Sequence, residues 1–202
     1  MSPDSSAARG AGRRTLVLLA ALFLLPLMLA FYAYYGSDWR PARRLSHGVL
    51  VTPARPLPPV LLTRLLPGAG AGAQIALPLR ERWSLVYIGG GDCDTACRQA
   101  LHVMRQTRLA LANNMTRVVQ VFLATSDCQA CEALGREHPG LAVFGTADAG
   151  GVRLLHEFPP ARAHALYLVD PLGNLVMSYD VREDPHGLLE DLEKLLMLSH
   201  IG

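Results

Sequence analysis

Lysine is almost missing from this 202-residue chain: Lys194 stands alone against eighteen arginines, and the formal net charge is only +2. The arginines are scattered, so the sequence holds no basic stripe or patch of the kind that reads a phosphate backbone. Nucleic acid is excluded as an expected partner. Cysteine is scarce as well, with four in all, and no internal repeat is visible. A near-balance of charge argues neither for nor against acidic partners. Length and an apolar half fit one domain plus an appendage.

Long hydrophobic runs are lacking too, except for one. From Thr15 to Tyr35 the chain reads TLVLLAALFLLPLMLAFYAYY, twenty-one residues without a charge. A helix of that length can cross a hydrocarbon core about 30 Å thick. Phe31, Tyr32, Tyr34, Tyr35 and Trp39 gather at its far end, as an interfacial aromatic belt would. A cleaved signal peptide is the rival reading, but the run exceeds a usual h-region and lacks a clean A-x-A ending. The expectation is therefore a tail over 1–14, an uncleaved anchor over 15–35, a connector over 36–80 and a folded domain over 81–202. Arg9, Arg13 and Arg14 precede the span and Arg40, Arg43 and Arg44 follow it, so the positive-inside rule barely discriminates. Paired cysteines suit an oxidising compartment, which puts the tail in the cytoplasm and the domain outside it.

Within the connector, GVLV (48–51) and QIAL (74–77) are short apolar runs bounded by breakers, and they are expected to pair as a small hairpin. From Arg82 the pattern becomes regular. WSLVYIGG reads as a strand buried on both faces, followed by a helix from about Thr95 to Ala112. RVVQVFLAT is a second buried strand. A cysteine-bearing loop, a short helix around Cys131–Glu137 and an irregular stretch with four glycines come next. HALYLVDPLGNLVMSYD gives two strands around a turn, and an amphipathic helix closes the chain with Asp184 as cap and Pro185 at its first position. The order β-α-β-α-β-β-α is that of a thioredoxin-like α/β fold. Its first two strands run parallel and its last pair antiparallel.

Cys93 and Cys97 fall in the turn between the first of these strands and its helix. Active sites of α/β sheets gather at that edge. Exposed amides at the helix start would favour a thiolate at Cys93, with Cys97 as resolving partner. Four-residue spacing inside a regular helix leaves Cβ atoms about 5–6 Å apart, beyond disulfide reach, so a disulfide requires Cys93 to stand outside the helix. Two thiolates also suit a soft ion, Cu(I) above all. A static disulfide or plain packing is the competing account. Cys128 and Cys131 follow the second buried strand, and the same sheet edge brings them towards the first pair. They read as a local structural disulfide or as a second redox pair; zinc is disfavoured by the 30 residues between the pairs.

The segment WSLVYIGGGDCDTACRQAL, a strand ending in glycine before C-x-x-x-C and a helix, resembles the Sco/SenC cytochrome oxidase assembly proteins. ALYLVDPLGNLV resembles the later strand–turn–strand of that family, and the likeness covers about residues 82–200. It implies a membrane-anchored thioredoxin-like domain facing the periplasm from the inner membrane. Such a domain would deliver copper or reduce copper-ligand cysteines, with an oxidase subunit or another copper chaperone as partner. It also implies a histidine ligand ahead of the later strand. Arg162 holds that position here and His164 lies two residues on, a shift that keeps the same strand face. Cys93, Cys97 and His164 are thus the expected copper ligands. His102, His138 and His156 are spare candidates, and His186 and His200 belong to the closing helix and its end. The resemblance does not require cysteines at 128 and 131. Two further readings stand beside it: a general extracytoplasmic thiol–disulfide oxidoreductase, and a degenerate thioredoxin scaffold that binds a membrane partner.

Overall fold

The computed structural model describes residues 5–36, 46–66, 72–160 and 164–199. The chain divides into two units, 1–44 and 45–202. The first is a single helix, α1 (Ser5–Tyr35), 31 residues long with Pro26 inside it. Its described apolar side chains, among them Leu18, Phe23, Leu25 and Met28, are exposed all round. Among the described residues no helix is long and apolar enough to cross a membrane.

The second unit is built on one sheet. Its strands are β1 (Val49–Pro56), β2 (Leu61–Arg64), β3 (Gln74–Ala76), β4 (Trp83–Gly89), β5 (Val118–Ala124), β6 (Leu141–Gly145), β7 (Ala165–Val169) and β8 (Asn174–Asp180). Their order across the sheet is β1-β8-β7-β4-β5-β6-β2-β3. The pairs β4–β5 and β5–β6 are parallel, and all other neighbours are antiparallel. The helices are α2 (Thr95–Ala110), α3 (Cys131–Glu137), α4 (Ala149–His156) and α5 (Pro185–Leu198).

Period-2 alternation along the central strands divides the core. Leu85, Tyr87, Phe122, Leu166 and Leu168 face one way and join α2, α3 and α5 in one apolar cluster. Val86, Ile88, Val121, Leu123, Tyr167 and Val169 face the other, with Leu154 of α4 and Phe158. This two-sided burial is why β4 and β5 read as continuous apolar runs rather than alternating ones. Helix starts follow side-chain chemistry. Asp94 accepts from the Cys97 amide at 2.9 Å, Asp148 from Gly151 at 2.6 Å and Asp184 from Gly187 at 2.8 Å. At the β7–β8 turn, Asp170 accepts from the Leu172 and Asn174 amides, and Gly173 takes φ +89°.

Three expectations need correction. GVLV and QIAL do not form a hairpin: β1 pairs with β8, and β3 with β2. Both segments are too short to encode a partner, and open sheet edges supplied one to each. The stretch read as connector therefore contributes three strands. The stretch read as irregular after α3 holds β6 and α4. Its five-residue strand is too short to show a period, and the parallel register from Gln120↔Leu141 to Ala124↔Gly145 gives it its place.

Asp191 on α5 ties β1 to this core. It is 4% exposed, and its Oδ2 accepts from the His47 amide at 2.7 Å, the Gly48 amide at 3.1 Å and the Tyr179 hydroxyl at 3.2 Å. Burial, reinforced by that carboxylate, raises the Tyr179 phenol well above its ordinary value. Replacing Asp191 by Ala strands three donors and is expected to lower unfolding free energy by about 2–3 kcal/mol. Urea unfolding measures it; a loss below about 0.5 kcal/mol would remove Asp191 from this role.

Candidate redox and metal site

The parallel pairing of β4 with β5 ends both strands at the same edge, Gly89 beside Ala124. The loops that follow carry all four cysteines. Cys93 and Cys97 form one disulfide, with Cα atoms 5.1 Å apart, and Cys128 and Cys131 form the other, at 5.3 Å. No free cysteine remains. Of the three connectivities open to four cysteines, the structure has the one made of two local bridges.

Cys93 stands outside α2, before the capping Asp94, as a disulfide at this spacing requires. Its φ of +46° lies in the left-handed region, where a side-chain-bearing residue is uncommon. The turn is closed by the Cys93 amide donating to the Gly90 carbonyl at 3.2 Å. Arg98 Nε donates to the Cys93 carbonyl at 3.3 Å. Cys97, not Cys93, sits in the first helical turn, and its amide is occupied by Asp94. The helix start therefore does not simply present free amides to Cys93. Two exposed carboxylates, Asp92 and Asp94, flank it instead. Together with burial, the larger cause, they push the underlying Tyr87 phenol up to about 12.

The two cysteine loops are in direct contact. Ala130 donates its amide to the Gly91 carbonyl at 3.1 Å, and the Gly91 amide donates to Ser126 Oγ at 2.9 Å. A Cβ on Gly91 would strike the Asp127 carbonyl and lie 2.7 Å from the Cys128 Cα. Only glycine allows this approach. Cys93, Cys97 and Cys131 are buried in the α2/α3/α5 cluster, and half-buried Cys128 packs against it. In sequence, the run of three glycines ahead of Cys93 was the one signal of so close an approach.

His164 lies one residue before β7. Continuing the register Tyr87↔Leu166 by two residues sets it opposite Gly89, at the edge that carries the cysteine loops. Its Nδ1 is buried without a hydrogen-bond partner. Asp180 is held down to about 2, first by its bond to the Arg182 side chain, with His164 the smallest contributor. Arg162 lies outside the described residues. Among the described residues, no three His, Cys, Asp or Glu side chains are grouped to hold a metal ion. Of the spare histidines, His102 and His138 line a depression with Arg98, Arg105 and Arg136, and His156 lines one with Arg55 and Phe158. Burial holds the His138 imidazole below its ordinary value, with Arg105 and His102 adding to the effect against Glu137.

A mixed sheet with helices on both faces and a C-x-x-x-C disulfide where β4 meets α2 defines a thioredoxin-like protein. The match over residues 83–199, more than half of the chain, is to the transmembrane-like, thioredoxin-like C-terminal domain family, and the chain belongs to it. No curated protein matches the chain. Solved structures of similar fold include yeast Sco1 with copper bound, at 16% identity and a TM-score of 0.59, covering 71% of this chain and 94% of that one. BsSco, a member of the Sco family of cytochrome c oxidase assembly proteins in which a disulfide switch was identified, matches at 13% and 0.55, covering 74% and 99%. A putative protein disulfide isomerase from Bacteroides thetaiotaomicron matches at 15% and 0.55, covering 77% and 97%. The likeness to Sco proteins expected from the cysteine segment thus holds for the fold over 71–74% of the chain.

Gly91→Ala tests the loop contact. The added methyl meets backbone rather than a flexible side chain, so a loss of about 1–3 kcal/mol in urea unfolding is expected. An unchanged midpoint would mean that the loops separate at no cost.

Proposed function

We propose that this chain is a membrane-anchored, extracytoplasmic thioredoxin-like protein that assists cytochrome c oxidase assembly. It delivers Cu(I) as cargo or reduces copper-ligand cysteines of the oxidase. The observation that carries the reading is the Cys93–Cys97 disulfide in the turn after β4, with the unpartnered Nδ1 of His164 at the same sheet edge. The oxidase-assembly role is argued from the likeness to BsSco and copper-bound yeast Sco1.

The donor chemistry fits copper only in one redox state. In the disulfide, each sulfur is spent on the other and neither can ligate. Two electrons convert the pair to two soft thiolates, and His164 supplies a borderline nitrogen for a three-coordinate Cu(I) site. Oxidation would then release the cargo, so the same pair couples metal transfer to redox state. The partner is an oxidase subunit or another copper chaperone. A general thiol–disulfide oxidoreductase is the second reading, favoured by the second disulfide in C-x-x-C spacing and by the isomerase-like neighbour.

Cu(I) is expected to bind the reduced full-length protein in detergent at one equivalent, measured against a chromophoric chelator. Cys93→Ser or Cys97→Ser abolishes tight binding, and His164→Ala weakens it by about tenfold, ~1.4 kcal/mol. If the Cys93/Cys97 double variant binds copper as the native protein does, the copper assignment is wrong. If the native protein binds none but exchanges disulfides with clients, the oxidoreductase reading takes its place.

The anchor is assigned to Thr15–Tyr35 within α1, and the domain to the periplasmic face of the inner membrane. The intact chain should stay in the membrane fraction through alkaline washing. A membrane-impermeant maleimide should label its reduced cysteines in unbroken spheroplasts. Labelling only after lysis would put the domain in the cytoplasm and end the oxidase-assembly reading.

A further inference from the structure

Cys93 and Cys97 are 1% and 2% exposed. Thiol–disulfide exchange needs a thiolate to reach a sulfur, and its rate depends on access. An external thiol has almost no approach to this pair in the folded state. Cys128 differs. It is half-buried and lies between exposed Thr125, Ser126, Asp127 and Gln129. Its Cα sits against Gly91, two residues before Cys93, and Ala130 is bonded to Gly91. The loop of the reachable disulfide is therefore packed on the loop that carries the unreachable one.

We propose that Cys128–Cys131 is a second catalytic disulfide, through which an external dithiol protein or small dithiol reduces Cys93–Cys97. The inference rests on the reading of Cys93–Cys97 as a pair that must cycle to its dithiol form. A donor thiolate attacks Cys128 Sγ, forming a mixed disulfide and releasing Cys131 as thiolate. The second donor thiol attacks the donor sulfur of that bond, so the donor leaves as its disulfide and Cys128 becomes a thiolate. Cys128 then attacks Cys93 Sγ, breaking the Cys93–Cys97 bond and freeing Cys97. Finally Cys131 attacks Cys128 Sγ, re-forming Cys128–Cys131 and freeing Cys93. In sum, two electrons and two protons pass from the donor dithiol to Cys93 and Cys97, and the outer pair ends as it began.

This arrangement gives the buried position of Cys93 and Cys97 a chemical use. Thiolates sheltered from bulk oxidants keep a soft ion longer than exposed ones, but they need a route for electrons. A C-x-x-C at the rim provides one. It also accounts for Gly91, whose missing side chain lets the two loops close on each other.

The test uses the oxidised full-length protein in detergent, with dithiothreitol as the dithiol. Samples are quenched with N-ethylmaleimide over time and the modified peptides are mapped. In the native protein with limiting dithiol, label should collect on Cys93 and Cys97 while Cys128 and Cys131 cycle back to their disulfide. In the Cys128→Ser/Cys131→Ser double variant, reduction of Cys93–Cys97 should slow on the order of tenfold. In Cys131→Ser, which lacks the resolving thiol, a Cys93–Cys128 disulfide should accumulate with Cys97 free. Failure of a Cys93–Cys128 disulfide to form in Cys131→Ser would overturn the relay. So would an unslowed double variant. The Cys131→Ser trap decides the matter even where the double variant does not fold. Cu(I) binding to the fully reduced double variant separates the two readings: binding retained with unslowed reduction defeats the relay and leaves the copper site standing.

Discussion

Gly91 has no side chain, and the Asp127–Cys128 backbone fills the space that a Cβ would need. Much of the site follows from that one approach. It closes the loop after β4 onto the loop after β5, and it brings two chemically similar disulfides into one apolar cluster. The parallel register of β4 and β5 sets the stage, since both strands end together at Gly89 and Ala124. Parallel pairing with crossover helices places successive βα loops side by side, and such loops build the functional edge of α/β sheets.

Around this contact, polar groups are held by named partners rather than left to solvent. Asp94 spends its carboxylate on the Cys97 amide, which fixes the start of α2 and keeps Cys93 outside the helix. Tyr87 shares the buried cluster of Cys93, its ring 5.6 Å from that of Phe122 and tilted by 39°, and its phenol stays neutral over the physiological range. His164 differs. Its buried Nδ1 is unpartnered beside the cysteine edge, and a buried nitrogen without a partner is costly unless something else occupies it. In the disulfide, neither sulfur is a thiolate able to hold a soft ion. A copper reading therefore depends on reduction, and electron supply is as much a part of the site's chemistry as ligand identity.

The site departs from a simple C-x-x-x-C thioredoxin-like centre in carrying a second cysteine pair. A disulfide closing a loop of four or five residues contributes about 2 kcal/mol by chain entropy. In a domain with cores on both faces of an eight-stranded sheet, that is a small addition. Redox use is the more demanding account of why the loops of two such bridges touch.

Sequence alone determined most of the central fold. Continuous apolar runs marked β4 and β5, Asp184 and Pro185 marked the start of α5, and the DPLGN turn marked β7 and β8, because burial on both faces, caps and turn chemistry are local properties. It also located both cysteine pairs and the candidate histidine at one sheet edge. Tertiary structure alone decided the rest. GVLV and QIAL were legible as strands but not as to partner, since edge pairing is chosen by whatever open strand is near. Strand β6 was illegible because five residues carry no period. Which sulfurs pair, how deeply Cys93 and Cys97 are buried, and the contact of Gly91 with Cys128 all depend on the distance between two loops 30-odd residues apart. No local preference encodes that distance; the packing of α2 and α3 on a shared sheet face sets it.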